Sequence, residues 1–337
     1  MLALCILMLM PLTAQAQTAN VKIGYLSYEQ ALRTMPEYAI AQKTLESLTA
    51  KYDAEAMRVK NEFNQKYEEF LEGQNDFPKT ILHGIRKLLP QYDYLYLGDN
   101  ARAPYGTRSF DVVYEFTRQA VERLFAMGCH LVILGCNTAS AKALRTIQQN
   151  DLPQLDPNRR VLGIIRPTAE VIGSLTQSRH VGIFATEGTI KSESYNLEIH
   201  KLFPDIQVSG VACPFWVPLV EYNEADSPGA DYFVEKRIRQ LLSLDPAIDA
   251  IILGCTHYPI LMPKIRKFLP QSIRVIAQGD YVAKSLKDYF DRHPEIEGKC
   301  TKGGNVHYLT TENPEKFKES AQVFLHEPVE VENITLG

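Results

Sequence analysis

Two cysteines stand in matching surroundings far apart in the chain. The tetrapeptide Ile-Leu-Gly-Cys ends at Cys136 and again at Cys255, and each copy closes a short run of β-branched and other apolar residues. Such runs predict buried parallel strands, and the glycine permits a sharp exit from the strand. Ligands of open α/β sheets bind at the carboxyl ends of the strands. The repeat therefore predicts that two sheet units present two thiols to one small molecule.

The polar residues that follow these cysteines are Asn137, Thr138, Thr256 and His257. The N-terminus of a following helix lowers the pKa of a thiol, and amide and hydroxyl groups can donate to a carboxylate. Two thiols opposed across a carbon acid suit a two-base reaction, in which one removes the α-proton and the other protonates the opposite face. The two thiols must then hold opposite protonation states. This chemistry inverts configuration and needs neither a metal nor a cofactor.

Composition excludes several other classes of protein. The chain has 337 residues, 45% of them hydrophobic, and a formal net charge of -4, which is ordinary for a soluble protein of two domains and gives no basic footprint for nucleic acid. Its six cysteines include no C-x-x-C pair and no zinc-like spacing with histidines. We expect Cys129, Cys213 and Cys300 to be inert packing residues. Free thiols indicate a reducing, cytoplasmic compartment.

The amino-terminal residues indicate a different compartment. Residues 1–16 combine the apolar run Leu2–Leu12 with Ala14-Gln15-Ala16, a pattern typical of a secretory leader, although no basic residue precedes it. Residues 17–77 contain a predicted strand at 21–26 and a predicted long helix at 37–72. A narrow apolar stripe along that helix favours a coiled coil, and an ordinary surface helix is the alternative. The two signals for localisation, cytoplasmic and periplasmic, conflict.

From Thr80 onward, strand-like and helical segments alternate, which predicts an α/β fold with a mostly parallel sheet. Helices are predicted at 81–89, 112–127, 139–150 and 233–242. The predicted strands lie at 92–97, 131–134, 161–165, 181–184, 208–212, 250–253 and 273–276.

Five motifs in this region resemble those of the glutamate racemases of the Asp/Glu racemase family, in the same order along residues 80–325. They are Leu97-Gly98-Asp99-Asn100 with Pro104-Tyr105-Gly106, Cys136-Asn137-Thr138-Ala139, Ala185-Thr186-Glu187-Gly188-Thr189, Pro218-Leu219-Val220-Glu221, and Gly254-Cys255-Thr256-His257-Tyr258-Pro259. The resemblance implies two pseudo-symmetric parallel-sheet domains, at 79–163 with 277–334 and at 164–276. It also implies cofactor-independent interconversion of L- and D-glutamate for peptidoglycan synthesis.

The resemblance assigns roles to individual residues. Cys136 and Cys255 would be the two acid/base thiols, and His257 and Glu221 would assist on the Cys255 side. The substrate would be bound by Tyr105, Gly106, Asn137, Thr138, Thr186, Thr189, Thr256 and His257. Without the family, Tyr105 and Gly106 form a surface turn and Glu221 is a solvated carboxylate.

The chain also departs from the family. Glutamate racemases begin with a strand and an Asp-Ser-Gly turn, whose aspartate supports the first thiol, and this chain has neither before Ile81. Whether full activity survives that loss stays open. Residues 1–75 instead resemble the OmpH/Skp family of periplasmic chaperones, with a leader, a strand and a coiled-coil arm.

Three hypotheses follow. The first is a glutamate racemase-like enzyme, whole or impaired. The second is a periplasmic chaperone fragment that carries an inactive racemase, and the third is a racemase for aspartate or another carbon acid. For partners we expect glutamate and no nucleic acid, with either a homodimer through the racemase part or self-association through the amino-terminal helix.

Overall fold

The computed structural model describes residues 36, 40, 42–55, 57–58, 81–318 and 329–336. The chain divides into two compact units, Met1–Leu71 and Glu72–Gly337. In the first unit, residues 42–55 form a helix inside the stretch predicted to be helical. The predicted leader at 1–16, the strand at 21–26 and the end of the long helix at 59–72 lie outside the described residues.

The second unit is built on parallel sheets, which confirms the predicted fold class. Within the described residues the strands are β1 (Tyr94–Gly98), β2 (Leu131–Leu134), β3 (Arg160–Gly163), β4 (His180–Ala185), β5 (Gln207–Ala212), β6 (Ala250–Gly254), β7 (Arg274–Ile276), β8 (Val306–Thr310) and β9 (Val331–Asn333). They pair in the orders β1-β8-β9, β2-β3 and β5-β4-β6-β7, and every pair is parallel. Apolar runs predicted β1 to β7 to within a few residues, and β8 and β9 were not predicted.

Helices connect and cover the strands. Their bounds are α1 (Ile81–Leu88), α2 (Phe110–Ala126), α3 (Asn137–Lys142), α4 (Leu144–Thr146), α5 (Leu152–Leu155), α6 (Ile165–Leu175), α7 (Glu187–Lys191), α8 (Ser194–Leu202), α9 (Trp216–Glu221), α10 (Pro228–Leu244), α11 (Met262–Phe268), α12 (Gly279–Arg292) and α13 (Pro294–Glu297). The stretch predicted as one helix at 139–150 is helical but interrupted. Ala143, at φ -115°, separates α3 from α4, and a π-helical turn follows at Ile147–Asp151. No helix of the described residues is long and apolar enough to cross a membrane.

The four-stranded sheet is buried on both faces. One face packs Phe184, Trp216 and Tyr258 into a core with α9 and α10, and the other packs Ile183 and Ile252 against α6 and α8. Every residue of β6 is buried. Burial of one such isoleucine stabilises the fold by about 1.5–3 kcal/mol, so β6 is a rigid support for the residue that follows it.

The remaining strands form two separate sheets. Among the described residues, β1 pairs only with β8 and β2 pairs only with β3, so the two strands belong to different sheets. Helices α1 and α12 pack across both, in one core that includes Ile85, Tyr94 and Ile133. Both strands keep half-exposed residues along their length. The domain bounds 79–163 with 277–334 and 164–276 stay a prediction.

Candidate active site

Cys136 lies directly after β2 and is the N-cap residue of α3. Burial of the thiol raises the pKa of Cys136, hydrogen bonding from the Ala139 N–H lowers it, and the charge of Cys255 raises it again. The net direction is upward, so Cys136 holds its proton at neutral pH.

Cys255 lies at the equivalent point after β6, and its side chain is buried. The residues after it turn into a 3₁₀ helix at Tyr258–Leu261. Tyr258 anchors this turn, because its buried hydroxyl donates to the Cys213 carbonyl at 3.0 Å and its ring meets the Trp216 ring edge-on. A buried strand and an aromatic anchor thus fix the position of the second thiol.

An ionisable chain runs outward from Cys255. The Nδ1 atom of His257 lies 3.8 Å from the Cys255 sulfur, and its Nε2 atom hydrogen-bonds to Glu221, the last residue of α9. Burial disfavours the charged ring, but the hydrogen bonds with Cys255 and Glu221 outweigh it and raise the pKa of His257 to about 10. His257 is therefore a cation at neutral pH, and a neighbouring cation favours a thiolate.

Three threonine hydroxyls form a second cluster. The Thr138 hydroxyl lies 2.9 Å from that of Thr186 and 3.4 Å from that of Thr189, and the Thr186 and Thr189 hydroxyls are 3.1 Å apart. All three side chains are buried. Thr186 also caps α7 by accepting from the Thr189 N–H. Hydroxyls that bond mainly to one another can reorient toward an incoming carboxylate oxygen.

Gly106 lies against this hydroxyl cluster. Its carbonyl accepts from the Gly188 N–H at 2.9 Å, and a Cβ atom at position 106 would sit 2.8 Å from the Thr186 side chain. Only glycine fits this approach. The predicted substrate-binding residues Gly106, Thr138, Thr186 and Thr189 are therefore brought together, although they come from three separate stretches of sequence.

Tyr105 and Thr256 are placed differently. The Tyr105 hydroxyl donates to Asp99, which also pairs with Arg102 at 2.8 Å and accepts from the Thr311 hydroxyl at 2.9 Å. Tyr105 thus holds the loop after β1 in place. Thr256 is half-exposed between the second thiol and His257. Sequence reasoning assigned no role to Asp99, although the residue stood inside a quoted motif.

Asn137, another predicted substrate-binding residue, is bound to two buried side chains. Its side chain is 2% exposed and bonds to Tyr195 and to Gln278. Sequence reasoning missed both partners. Gln278 could have been suspected, because it follows β7 and so lies at the same edge of the sheet as the cysteines. Tyr195 lies inside α8 and carried no sequence signal.

The remaining described cysteines are Cys129, Cys213 and Cys300. Cys213 is fully buried, and burial raises the pKa of Cys129 and of Cys300. All five described cysteines are free. The described part of the chain also contains no group of three or more His, Cys, Asp or Glu side chains that could hold a metal ion.

Two thiols at the ends of parallel strands, one beside a histidine cation and one kept protonated, are the arrangement that a two-base amino-acid racemase needs. A profile of the Asp/Glu/Hydantoin racemase family matches residues 75–286. The chain belongs to this family.

Relatives of known name support the same assignment. Glutamate racemase from Roseobacter denitrificans is 38% identical over 261 residues, which cover 74% of this chain and 94% of the relative. Glutamate racemase from Streptococcus agalactiae is 35% identical over 261 residues, which cover 76% of this chain and 94% of the relative.

Solved structures match as well. Glutamate racemase isoform RacE1 from Bacillus anthracis superposes with a TM-score of 0.69 at 30% identity, covering 76% of this chain and 93% of that one. The Francisella tularensis enzyme, solved in complex with D-glutamate, superposes with a TM-score of 0.66 at 30% identity and covers the same 76% and 93%.

Proposed function

We propose that this chain interconverts L- and D-glutamate by proton transfer between two thiols, without a cofactor. One observation carries the proposal: Cys136 and Cys255 each follow the carboxyl end of a parallel strand, and Tyr195 contacts the residue next to each of them, Asn137 and Gly254. Two acid/base groups that approach one carbon from opposite sides can invert it. The names of the relatives supply the substrate.

The protonation states of the groups in the site support one starting state for the reaction, with Cys255 ionised and Cys136 protonated. The His257 cation stabilises a thiolate at Cys255, and burial keeps the proton on Cys136. The Cys255 thiolate removes the α-proton, and the electron pair of the C–H bond moves into the α-carboxylate. The Cys136 thiol then protonates the opposite face of the α-carbon. The product leaves with Cys136 ionised and Cys255 protonated, from which the reverse reaction begins.

The hydroxyl cluster supports a substrate with a second carboxylate. Thr186 and Thr189 would receive the side-chain carboxylate, because their hydroxyls are buried and bond chiefly to each other and to Thr138. The remaining contacts to substrate would come from Tyr105, Gly106, Asn137, Thr138, Thr256 and His257. Aspartate is one methylene shorter than glutamate, and the resemblance to glutamate racemases favours glutamate as the substrate.

Hydrogen exchange tests the proposal directly. The purified full-length chain is incubated with L- or D-glutamate in deuterated water, and α-deuterium and optical rotation are followed. We expect both enantiomers to gain deuterium and to interconvert, with aspartate much slower as the matched control. A protein that leaves the α-hydrogen of both glutamate enantiomers in place contradicts the proposal.

The product would serve peptidoglycan precursor synthesis in the cytoplasm. Free cysteines support that compartment, because a reducing environment keeps thiols available as acid/base groups. Cell fractionation with an antibody to the chain tests the assignment. Recovery of the folded chain in the periplasm would favour the leader at residues 1–16 and contradict a cytoplasmic role.

Self-association through the amino-terminal helix is a further part of the proposal. Leu45, Leu48 and Tyr52 lie at three- and four-residue spacing and are all exposed, as the seam of a coiled coil would be in a single chain. Sedimentation of the full chain and of a Leu45→Asp, Leu48→Asp variant distinguishes this helix from the racemase part as the source of a homodimer. An oligomer that survives the double substitution contradicts association through the helix.

A further inference from the structure

A buried network of neutral polar side chains lies behind the two thiols. The Asn137 Nδ2 donates to Gln278 Oε1 at 2.6 Å, and the Tyr195 hydroxyl donates to Asn137 Oδ1 at 2.7 Å. The Nε2 atom of Gln278 lies 2.9 Å from the Tyr195 hydroxyl and 3.0 Å from that of Thr168. Each of these side chains is at most 4% exposed. The network links α3, α6 and α8 to the residue that precedes α12.

One backbone carbonyl fixes the direction of the bonds in this network. The Ile164 carbonyl can only accept, and Gln278 Nε2 donates to it at 3.0 Å. The other end of the Gln278 amide, Oε1, must therefore face the Asn137 Nδ2. Asn137 Oδ1 is then left to face the Tyr195 hydroxyl, which donates to it. The amide of Asn137 is thus locked in one orientation, with a single N–H group left over.

The network touches the turns of both thiols. Asn137 directly follows Cys136 and begins α3. The Tyr195 ring lies against Gly254, where an added Cβ atom would sit 3.1 Å from Tyr195 Cε2, and Cys255 is the next residue. Burial, and after it the charge of Cys255, raises the pKa of Tyr195, so its hydroxyl stays protonated as a donor. One tyrosine therefore spans the space between the two cysteine turns.

We propose that Tyr195 and Gln278 are positioning residues that set the separation of the Cys136 and Cys255 thiols. Tyr195 holds the Gly254–Cys255 turn with its ring and the Cys136–Asn137 turn with its hydroxyl. Gln278 fixes the amide that this hydroxyl binds. The role in catalysis rests on the proposed function, since a two-base reaction needs both sulfur atoms at set distances from one carbon.

Cross-linking measures the separation without any need for activity. Full-length protein in which Cys5, Cys129 and Cys300 are serine is treated with bis-methanethiosulfonates of increasing spacer length, and the Cys136–Cys255 cross-link is quantified by mass spectrometry. We expect one spacer to dominate in this background. Tyr195→Phe and Gln278→Met should broaden the preferred spacer length and lower the maximal yield at least twofold.

Thr168→Val is the matched control. The substitution removes one of the three acceptors around Gln278 Nε2, and Thr168 is as deeply buried as Tyr195 and Gln278. It leaves the Tyr195–Asn137 hydrogen bond intact. The control should lose stability like the other variants and keep the spacer profile of the parent. A profile unchanged in both Tyr195→Phe and Gln278→Met overturns the proposal, and so does a change of equal size in Thr168→Val. Tyr195→Phe removes only a hydroxyl, so the test can still be made with this variant if Gln278→Met does not fold.

Kinetics separate this proposal from the proposed function. If the parent exchanges the α-hydrogen, Tyr195→Phe and Gln278→Met should lower kcat about tenfold to a hundredfold with little change in KM, because misplaced reacting groups slow the chemical step. Wild-type kcat in both variants overturns the positioning role and leaves the racemase proposal intact. A parent without exchange overturns the racemase proposal, and the cross-link profile still decides whether the network sets the thiol separation.

Discussion

The two copies of Ile-Leu-Gly-Cys end in different surroundings. The second copy closes β6, an interior strand that is paired on both sides and buried along its whole length. The first closes β2, which pairs only with β3 among the described residues and keeps half-exposed positions. The same tetrapeptide thus lies in a complete sheet in one place and in an interrupted sheet in the other. Local sequence produces the strand and the turn, while its neighbours decide how rigidly the thiol is held.

The thiols differ in the same way. Cys255 is paired with His257 and, through it, with Glu221. The pKa of Cys136 is raised by burial, and the groups that oppose this rise are neutral donors such as the Ala139 N–H. The resemblance to glutamate racemases implies an aspartate beside the first thiol, from an Asp-Ser-Gly turn that this chain lacks before Ile81. We therefore expect proton transfer at Cys136 to be the slower of the two transfers in the proposed reaction.

Exchanging each thiol for a hydroxyl gives the largest expected effect. Cys136→Ser and Cys255→Ser should each lower racemisation by at least about 10²–10⁴-fold, since serine is a far weaker acid/base group. Each variant should still exchange the α-hydrogen of one enantiomer, the one whose hydrogen faces the remaining thiol. Deuterium incorporation into each enantiomer measures this. Exchange of the same enantiomer by both variants would mean that the thiols do not face opposite sides.

Truncating the matched isoleucines tests the two sheets. Ile252 in β6 is fully buried, and Ile252→Ala should destabilise the fold by about 2–5 kcal/mol. Ile133 in β2 is half-buried, so Ile133→Ala should cost about 1–2 kcal/mol, in proportion to the apolar area it covers. Urea unfolding followed by circular dichroism measures both. Equal losses would show that the interrupted sheet is as well packed as the complete one.

The glycines that precede the two cysteines, Gly254 and Gly135, also differ in how closely they are packed. A Cβ atom at Gly254 would lie 3.1 Å from the Ala185 Cβ and from the Tyr195 ring, so Gly254→Ala should destabilise by about 1–3 kcal/mol. No heavy atom of the described residues lies within 4 Å of the same point at Gly135. Gly135→Ala should therefore change stability by less than about 0.5 kcal/mol. Thermal unfolding of both variants checks this, and a large loss at Gly135 would reveal a close neighbour there.

Removing the cation beside Cys255 should make the two thiols more alike. His257 has a pKa of about 10, so it is charged at neutral pH, and its substitution removes a cation beside the Cys255 sulfur. We expect His257→Gln to lower kcat/KM about tenfold at neutral pH and to shift the acidic limb of the pH profile upward. Glu221→Gln, which leaves the ring in place, should have a smaller effect. An unshifted limb in His257→Gln would contradict the thiolate assignment.

The same histidine links stability to pH. Its pKa rises on folding from 6.5 to about 10, so the folded state binds more protons between these values. The stabilisation is fully present below pH 6.5 and is lost as pH rises through about 10. The difference in unfolding free energy between wild type and His257→Gln should be at its full size below pH 6.5 and small above 10. A difference that grows with pH would reverse this sign.

Sequence reasoning located β1 to β7 because each is a short apolar run ended by glycine or polar residues, a signal contained within a few positions. It missed β8 and β9, which have mixed polar and apolar residues; β8 is held by pairing with β1, and β9 by pairing with β8. It also joined residues 139–150 into one helix, since no proline or glycine marks the break that tertiary packing imposes at Ala143.

The sequence by itself determined where the two thiols lie along the chain and which polar groups follow them, because a strand, its glycine and the next turn are encoded within ten residues. Only the tertiary structure decided that Thr138 meets Thr186 and that Tyr195 and Gln278 enclose Asn137. It likewise decided that β6 is paired on both sides and that β2, among the residues the structure describes, is paired on one. These contacts join residues that are far apart in sequence, and their distances depend on how parallel strands and their covering helices pack.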